Sequence, residues 1–419
     1  MSALALADVV IVGPAPPLRG GISQHTARLV EALHAEGLSA AAVSYRRLYP
    51  ALLFPGRSQR SGTHVPPWCE EMLDVLRPAS WFELRRLLAA SRALVVLQWW
   101  HPVVAPALFV ATAGIDRQRL VAICHNALPH EPVAGSAVAA RAVLGRCGRI
   151  VFHSESERQA ARALLGRKTG PSASDRRQLL EVVPLPCLLP EGLLDAVAAR
   201  AARSAPDRMR TTGDMKQTTE DEAGLPELDD LPPSRRIVAA AGHTRSYKGT
   251  AVLLQAWKAA WRPADAVLVV AGESYLAGRE RREVRKIADV DATIRIVDRY
   301  LEDQELVSFL SRAEVLVLAH VAASQSGLVP IARSLGVPCI VSDAGGLPEQ
   351  IGPEGEGNEV VPRGDAAGLA HALERRLAGA APAVSSRKAS RLHALDRAEG
   401  AFRAGWRQVV EAIGIADRP

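Results

Sequence analysis

The residues best suited to chemistry fall in a few short segments. Gly242-His243-Thr244-Arg245-Ser246-Tyr247-Lys248-Gly249 sets two cations three residues apart, just ahead of a helical pattern. Arg245 can fork two phosphate oxygens, Lys248 supplies a mobile point charge, and the helix dipole adds to both. A diphosphate suits that combination; a solvated basic loop is the alternative. Pro14-Ala15-Pro16-Pro17-Leu18-Arg19-Gly20-Gly21-Ile22 separates an apolar run from a helical one, and its Gly pair lets backbone amides approach an anion. The G-x-G-x-x-G dinucleotide fingerprint is absent, and a tight turn explains the segment equally well. In Ala323–Pro330, Ser324, Gln325, Ser326 and Gly327 offer hydroxyls, an amide and N–H groups fit to orient sugar hydroxyls and phosphate oxygens, although a helix cap needs no ligand. Cys124–Glu131 closes an apolar run, so His125 is expected to project from a strand end, with a structural histidine as the alternative. Asp8, Asp343 and Glu349 are candidate acids, but no two have a spacing that compels a paired-carboxylate mechanism, and nucleophile signatures are missing.

These segments need strands and helices to hold them. Apolar runs at Val9–Val12, Ala40–Val43, Ala93–Leu97, Leu120–Ile123, Ile150–Phe152 and Glu181–Val183 predict strands, with helices such as Trp81–Ala90 and Ala137–Leu144 between them. The alternation restarts at Ile237–Ala241, Ala266–Ala271, Ile294–Val297, Val315–Leu318 and Cys339–Ser342, with helices at Ala251–Ala260, Asp303–Ser311 and Gly327–Leu335. Runs buried on both faces and alternating with helices indicate parallel, doubly wound sheets. The expected organisation is an N-terminal domain over 1–190, a linker over 191–236 whose Arg203–Arg236 stretch is polar, a second domain over 237–385, and a C-terminal helix within 386–419 carrying the stripe Phe402, Trp406, Val409, Val410 and Ile413. Two such domains create a cleft at the carboxyl ends of their sheets, where open α/β sheets bind ligands.

Composition narrows the classes. The 419 residues exceed one ordinary core, and 51 Lys plus Arg against 45 Asp plus Glu give a net charge of +6. The cations are dispersed, which argues against nucleic acid and is compatible with weak association at an anionic membrane surface. Five widely spaced cysteines fit neither a zinc pattern nor a disulfide framework, and no signal peptide opens the chain, so a cytoplasmic protein is expected. Ala93–Gly114 has the length of a membrane span, but Gln98, His101, Pro102 and Pro106 favour a strand, loop and helix.

Taken together, SYRRLYPALLFPG (Ser44–Gly56), QWWHPVVAP (Gln98–Pro106), CHNALPHE (Cys124–Glu131), RSYKG (Arg245–Gly249) and SQSGLVPIARSLGVPCIVSDAGGLPE (Ser324–Glu349) resemble bacterial members of the retaining GT-B glycosyltransferases of the family 4 group. The resemblance implies two Rossmann-like domains facing a cleft and transfer of a sugar from a nucleotide-diphosphate sugar, with no metal and no other cofactor. It implies that Gly20 and Gly21 lie beside the donor phosphates, that His125 sits near the transferred sugar, and that Arg245 and Lys248 bind the diphosphate. Ser324, Gln325, Ser326, Gly327 and Glu349 would complete the donor site. Many members carry two glutamates, which here become Ser324 and Ala332, a QSG version of the motif. The acceptor would be a glycan, a lipid-linked group or a small molecule, met by N-domain loops through Arg46, Tyr49, Trp100 and His101, in polysaccharide biosynthesis at the inner face of a membrane. Rival functions are an epimerase or phosphorylase on the same fold and a non-catalytic sugar-nucleotide-binding scaffold.

Overall fold

A computed structural model describes residues 3–49, 56–166, 179–189, 193, 225–232, 234–352, 357–379 and 384–414. Most of the expected linker, and residues 50–55 of the Ser44–Gly56 motif, lie outside that set.

The first sheet has seven parallel strands in the order β3-β2-β1-β4-β5-β6-β7. They are β1 (Val9–Val12), β2 (Ala40–Arg47), β3 (Cys69–Asp74), β4 (Leu94–Trp99), β5 (Leu120–Cys124), β6 (Arg149–Phe152) and β7 (Leu179–Val182). Central strands such as Val-Val-Ile-Val are wholly buried because helices cover both sheet faces. Val10, Val12 and Leu97 pack into one layer while Val9, Ile11 and Val96 pack into the other. Ala93–Gly114 becomes β4, a turn of 3-10 helix and the helix Ala105–Ala111, and among the described residues no helix is long and apolar enough to cross a membrane.

The second sheet has six parallel strands in the order β10-β9-β8-β11-β12-β13. They are β8 (Arg236–Ala241), β9 (Ala266–Ala271), β10 (Ile294–Val297), β11 (Ala313–Leu318), β12 (Cys339–Ser342) and β13 (Glu359–Val361). In each sheet the strand order reverses beside the first strand of the domain, between β1 and β4 and between β8 and β11. The loops leaving β1 and β8 therefore open at switch points, where such sheets leave a crevice.

The chain passes between domains near residue 185. Val183 belongs to the N-terminal core, whereas Cys187 and Leu189 pack into the C-terminal one, a few residues before the expected end of the first domain. The last helix, Val384–Glu411, returns: Phe402, Trp406, Val409 and Val410 pack with Val9 and Ile11 of the first sheet. Arg407 forms an ion pair with Glu36, and Arg28 pairs with Glu399 at 2.8 Å. All five cysteines are free and buried.

Candidate functional site

Between the carboxyl ends of the two sheets lies a cavity of about 230 Å³ lined from both domains. The N-terminal domain contributes Gly20, Gly21 and Gln24 from the start of the helix Gly21–Ala35, and His130 from the loop after β5. Gly20 has φ 111°, a conformation in which a side chain would be strained, so the residue type is dictated by the turn that brings this helix N-terminus to the cavity. The unpaired amides of a first helical turn then face it.

Opposite, the loop after β8 delivers Gly242, His243, Tyr247 and Lys248. The Lys248 ammonium forms no ion pair among the described residues, and burial, followed by the nearby Arg245 charge, lowers its pKa to about 8. Such a cation, short of a partner, is suited to an anion. Arg245 lies behind it, with its guanidinium 4.9 Å from the centre of the Tyr275 ring and 3.8 Å from Glu131 of the other domain. His243 stacks on Tyr275, and burial together with Lys248 and Arg245 lowers its pKa to about 4, so it is a neutral ring at pH 7.

Gly249, which follows, has φ 67°, and a Cβ there would meet the Ala319 carbonyl oxygen at 1.9 Å. Gly249→Ala is therefore expected to displace the loop that carries Lys248 and to lower stability by about 2 kcal/mol or more; thermal unfolding checks it, and an unchanged midpoint would contradict it.

The segment before the helix Leu328–Ser334 brings Gln325, Ser326 and Gly327 to the cavity. Ser324 is buried and outside the lining, its hydroxyl beside the Glu157 carboxyl. The Ser326 amide is engaged, donating to Gln350 Oε1 at 2.8 Å. Ala332 is fully buried, and its helix turns Leu328 and Ile331 to the cavity instead. Asp303 and Glu273 are the acids of the lining, and Asp303 Oδ1 accepts a hydrogen bond from Gln24 Nε2 of the other domain at 2.7 Å. Its pKa is raised by burial and by Glu302.

Several expected residues lie elsewhere. His125 does not project into the cavity: it is buried beneath it, with Nε2 2.5 Å from Gln98 Oε1, while His130 of the same motif reaches the lining. Glu349 is also outside the lining, its two oxygens accepting the backbone N–H groups of Glu155 (2.7 Å) and Ser156 (3.0 Å). It caps the helix Glu155–Leu164 from across the domain boundary. Glu349→Ala should cost about 1 kcal/mol of stability and leave donor affinity unchanged; weaker donor binding at unchanged stability would restore a ligand contact. Of the acceptor-side candidates, Arg46 donates to the Glu71 carbonyl, Trp100 donates to the Tyr49 hydroxyl, and His101 accepts from the Val103 amide. None of these four lines the cavity.

Comparison with known proteins bears on the fold. Residues 234–378, which carry the Lys248 loop and the Ser324–Gly327 segment, match the family model described as Glycosyl transferases group 1. No curated protein sequence matched the chain. Among solved structures, it is similar to an α,α-trehalose-phosphate synthase (UDP-forming) from Burkholderia vietnamiensis, at 14% identity and TM-score 0.66 over 99% of each chain. The fold is GT-B. A second GT-B neighbour is a sucrose-phosphate synthase from Thermosynechococcus elongatus, at 16% identity and TM-score 0.64 over 97% of each chain. A third is Anabaena HepE, solved in complex with UDP-glucose, at 12% identity and TM-score 0.60 over 97% of this chain and 99% of that one. The family match and the GT-B neighbours support a glycosyltransferase.

Proposed function

We propose that this chain is a retaining, metal-independent glycosyltransferase that moves a hexosyl group from a nucleotide-diphosphate sugar to an acceptor hydroxyl. The observation that carries the reading is Lys248, a cation without an ion-pair partner among the described residues, held at the second sheet's switch point opposite the helix N-terminus at Gly20–Gly21. A diphosphate between them would be held by an ammonium, a nearby guanidinium and backbone amides, groups that oppose the charge developing as the glycosidic bond breaks.

No protein nucleophile is needed in this scheme. The acceptor hydroxyl gives its proton to the departing diphosphate on the same face of the sugar, so the configuration is kept. His243 and His320 both have a buried Nδ1 without a partner among the described residues, and both line the cavity, so they are fit to hydrogen-bond the donor. In this reading His130, which lines the cavity, stands beside the sugar where the resemblance implies His125, and Asp303 serves in place of the missing glutamate. Closure across Arg19–Glu302 (2.9 Å) and Gln24–Asp303 would exclude water and favour transfer over hydrolysis. The acceptor is a glycan, a lipid-linked group or a small molecule in polysaccharide assembly, at the cytoplasmic face of a membrane.

The test is release of nucleoside diphosphate from a panel of nucleotide sugars, with and without candidate acceptors, and the anomeric configuration of the product by NMR. Release dependent on acceptor, with retention, is the expected result. Turnover of the donor without acceptor incorporation would favour an epimerase or phosphorylase, and binding without turnover would favour a scaffold.

A further inference from the structure

Below the cavity, and outside its lining, three histidines meet inside the N-terminal domain. His25 comes from the helix Gly21–Ala35, His125 follows β5 and His153 follows β6. Their ring centroids are 5.0 Å (His25–His125), 4.8 Å (His25–His153) and 5.3 Å (His125–His153) apart. One ring nitrogen from each lies within 4.8 Å of the other two. All three residues are buried, and Phe402 of the C-terminal helix packs edge-on against the His25 ring.

The surrounding groups set two of these rings, His125 and His153, as metal ligands are usually set. His153 Nδ1 donates to the Val183 carbonyl at 2.8 Å, which leaves the lone pair on Nε2, an atom with no partner among the described residues. His125 Nε2 donates to Gln98 Oε1, which leaves Nδ1 as the basic nitrogen. The Gln98 amide nitrogen donates to the Thr26 hydroxyl at 3.1 Å and stands 3.3 Å from His25 Nδ1, while His25 Nε2 has no partner among the described residues. A ring nitrogen tied to a carbonyl oxygen, with the opposite nitrogen left basic, is the second-shell arrangement that orients ligating histidines.

We propose that His25, His125 and His153 form a binding site for a divalent transition cation of the zinc type, distinct from the sugar-nucleotide cavity. Three imidazoles suit Zn²⁺ and its neighbours Co²⁺ and Cu²⁺, whereas Mg²⁺ and Ca²⁺ take oxygen ligands. Ligands of a tetrahedral Zn²⁺ at about 2.0–2.1 Å stand about 3.4 Å apart, so the rings draw together when the ion enters. The long contact between Gln98 and His25 is the one that ligation through Nδ1 gives up. The ion would tie the helix that presents Gly20 and Gly21 to the ends of β5 and β6. It is a resident, positioning cation and takes no part in the departure of the diphosphate. The site stands whether or not the cavity binds a nucleotide sugar.

The test is a Co²⁺ titration of the full chain, purified without an affinity tag and dialysed free of metal. The expected result is one Co²⁺ per chain with the intense visible absorption of a tetrahedral site, displaced by Zn²⁺ and untouched by Mg²⁺. His153→Gln and His25→Gln should abolish that band, while His64→Gln, at an exposed position, should keep it. A folded wild-type chain without the band overturns the proposal, as does a band that survives in folded His153→Gln. If both buried variants fail to fold, the wild-type stoichiometry and spectrum decide.

Discussion

Lys248→Ala is expected to lower glycosyl transfer by about 100- to 1000-fold, the scale on which one preorganised charge-stabilising group contributes. The ammonium is the cation that lines the cavity without an ion-pair partner among the described residues. Because its pKa is lowered to about 8, activity should also decline as pH rises through 8, when the cation is lost. Arg245→Ala should cost less, about 10- to 100-fold, since its guanidinium stands behind Lys248 on Tyr275 and toward Glu131. Steady-state kinetics across pH 6.5 to 9.5 checks both. Wild-type turnover in Lys248→Ala would remove the basis of the proposed mechanism.

The second large effect is on stability in acid. Burial lowers the pKa of His25, His125 and His320 well below the usual histidine value, and those of His153 and His243 to about 4. In the unfolded chain these groups protonate near 6.5, so below that pH the unfolded state binds more protons than the folded one. The stability is fully present above pH 6.5 and is lost as pH falls toward 4. His153 alone accounts for about 3 kcal/mol across that window. Glu157 and Asp303, whose pKa values burial raises, act in the opposite sense and offset part of the loss. Urea unfolding of the metal-free chain at pH 7.5, 6.5, 5.5 and 4.5 should show a falling midpoint at each step below 6.5. A flat profile between 7.5 and 5.5 would contradict the neutral buried state of these rings.

How much of this was legible in the sequence depends on where the signal lies. Central strands such as β1, β9 and β12 occur at their expected bounds, because strands buried on both faces are continuous apolar runs. The edge strand β3, Cys-Glu-Glu-Met-Leu-Asp, carries three acids and no continuous apolar run, so no expected strand falls there, and none falls at three-residue β13. Gly20, Gly21 and Lys248 could be found because a loop between an apolar run and a helix carries its own signature. Glu273, Tyr300 and Asp303 line the same cavity without any local pattern, since the first follows β9 and the other two follow β10. His125 was expected at the cleft because it ends a strand. The polar strand residue Gln98 instead holds it down beside His25 and His153, contacts between residues far apart in sequence. Glu349 shows the same limit, since its role as a cap depends on a helix from the other domain.

The central claim is that the interdomain cavity is a nucleotide-sugar site built on Lys248. Isothermal titration of the wild-type chain and of Lys248→Ala with UDP, GDP, ADP and dTDP, without added metal, tests it most directly. The account predicts saturable binding of one of these diphosphates to the wild type and a loss of at least tenfold in affinity in the variant, about 1.4 kcal/mol. Equal binding by the two folded proteins, or none by either, would contradict it.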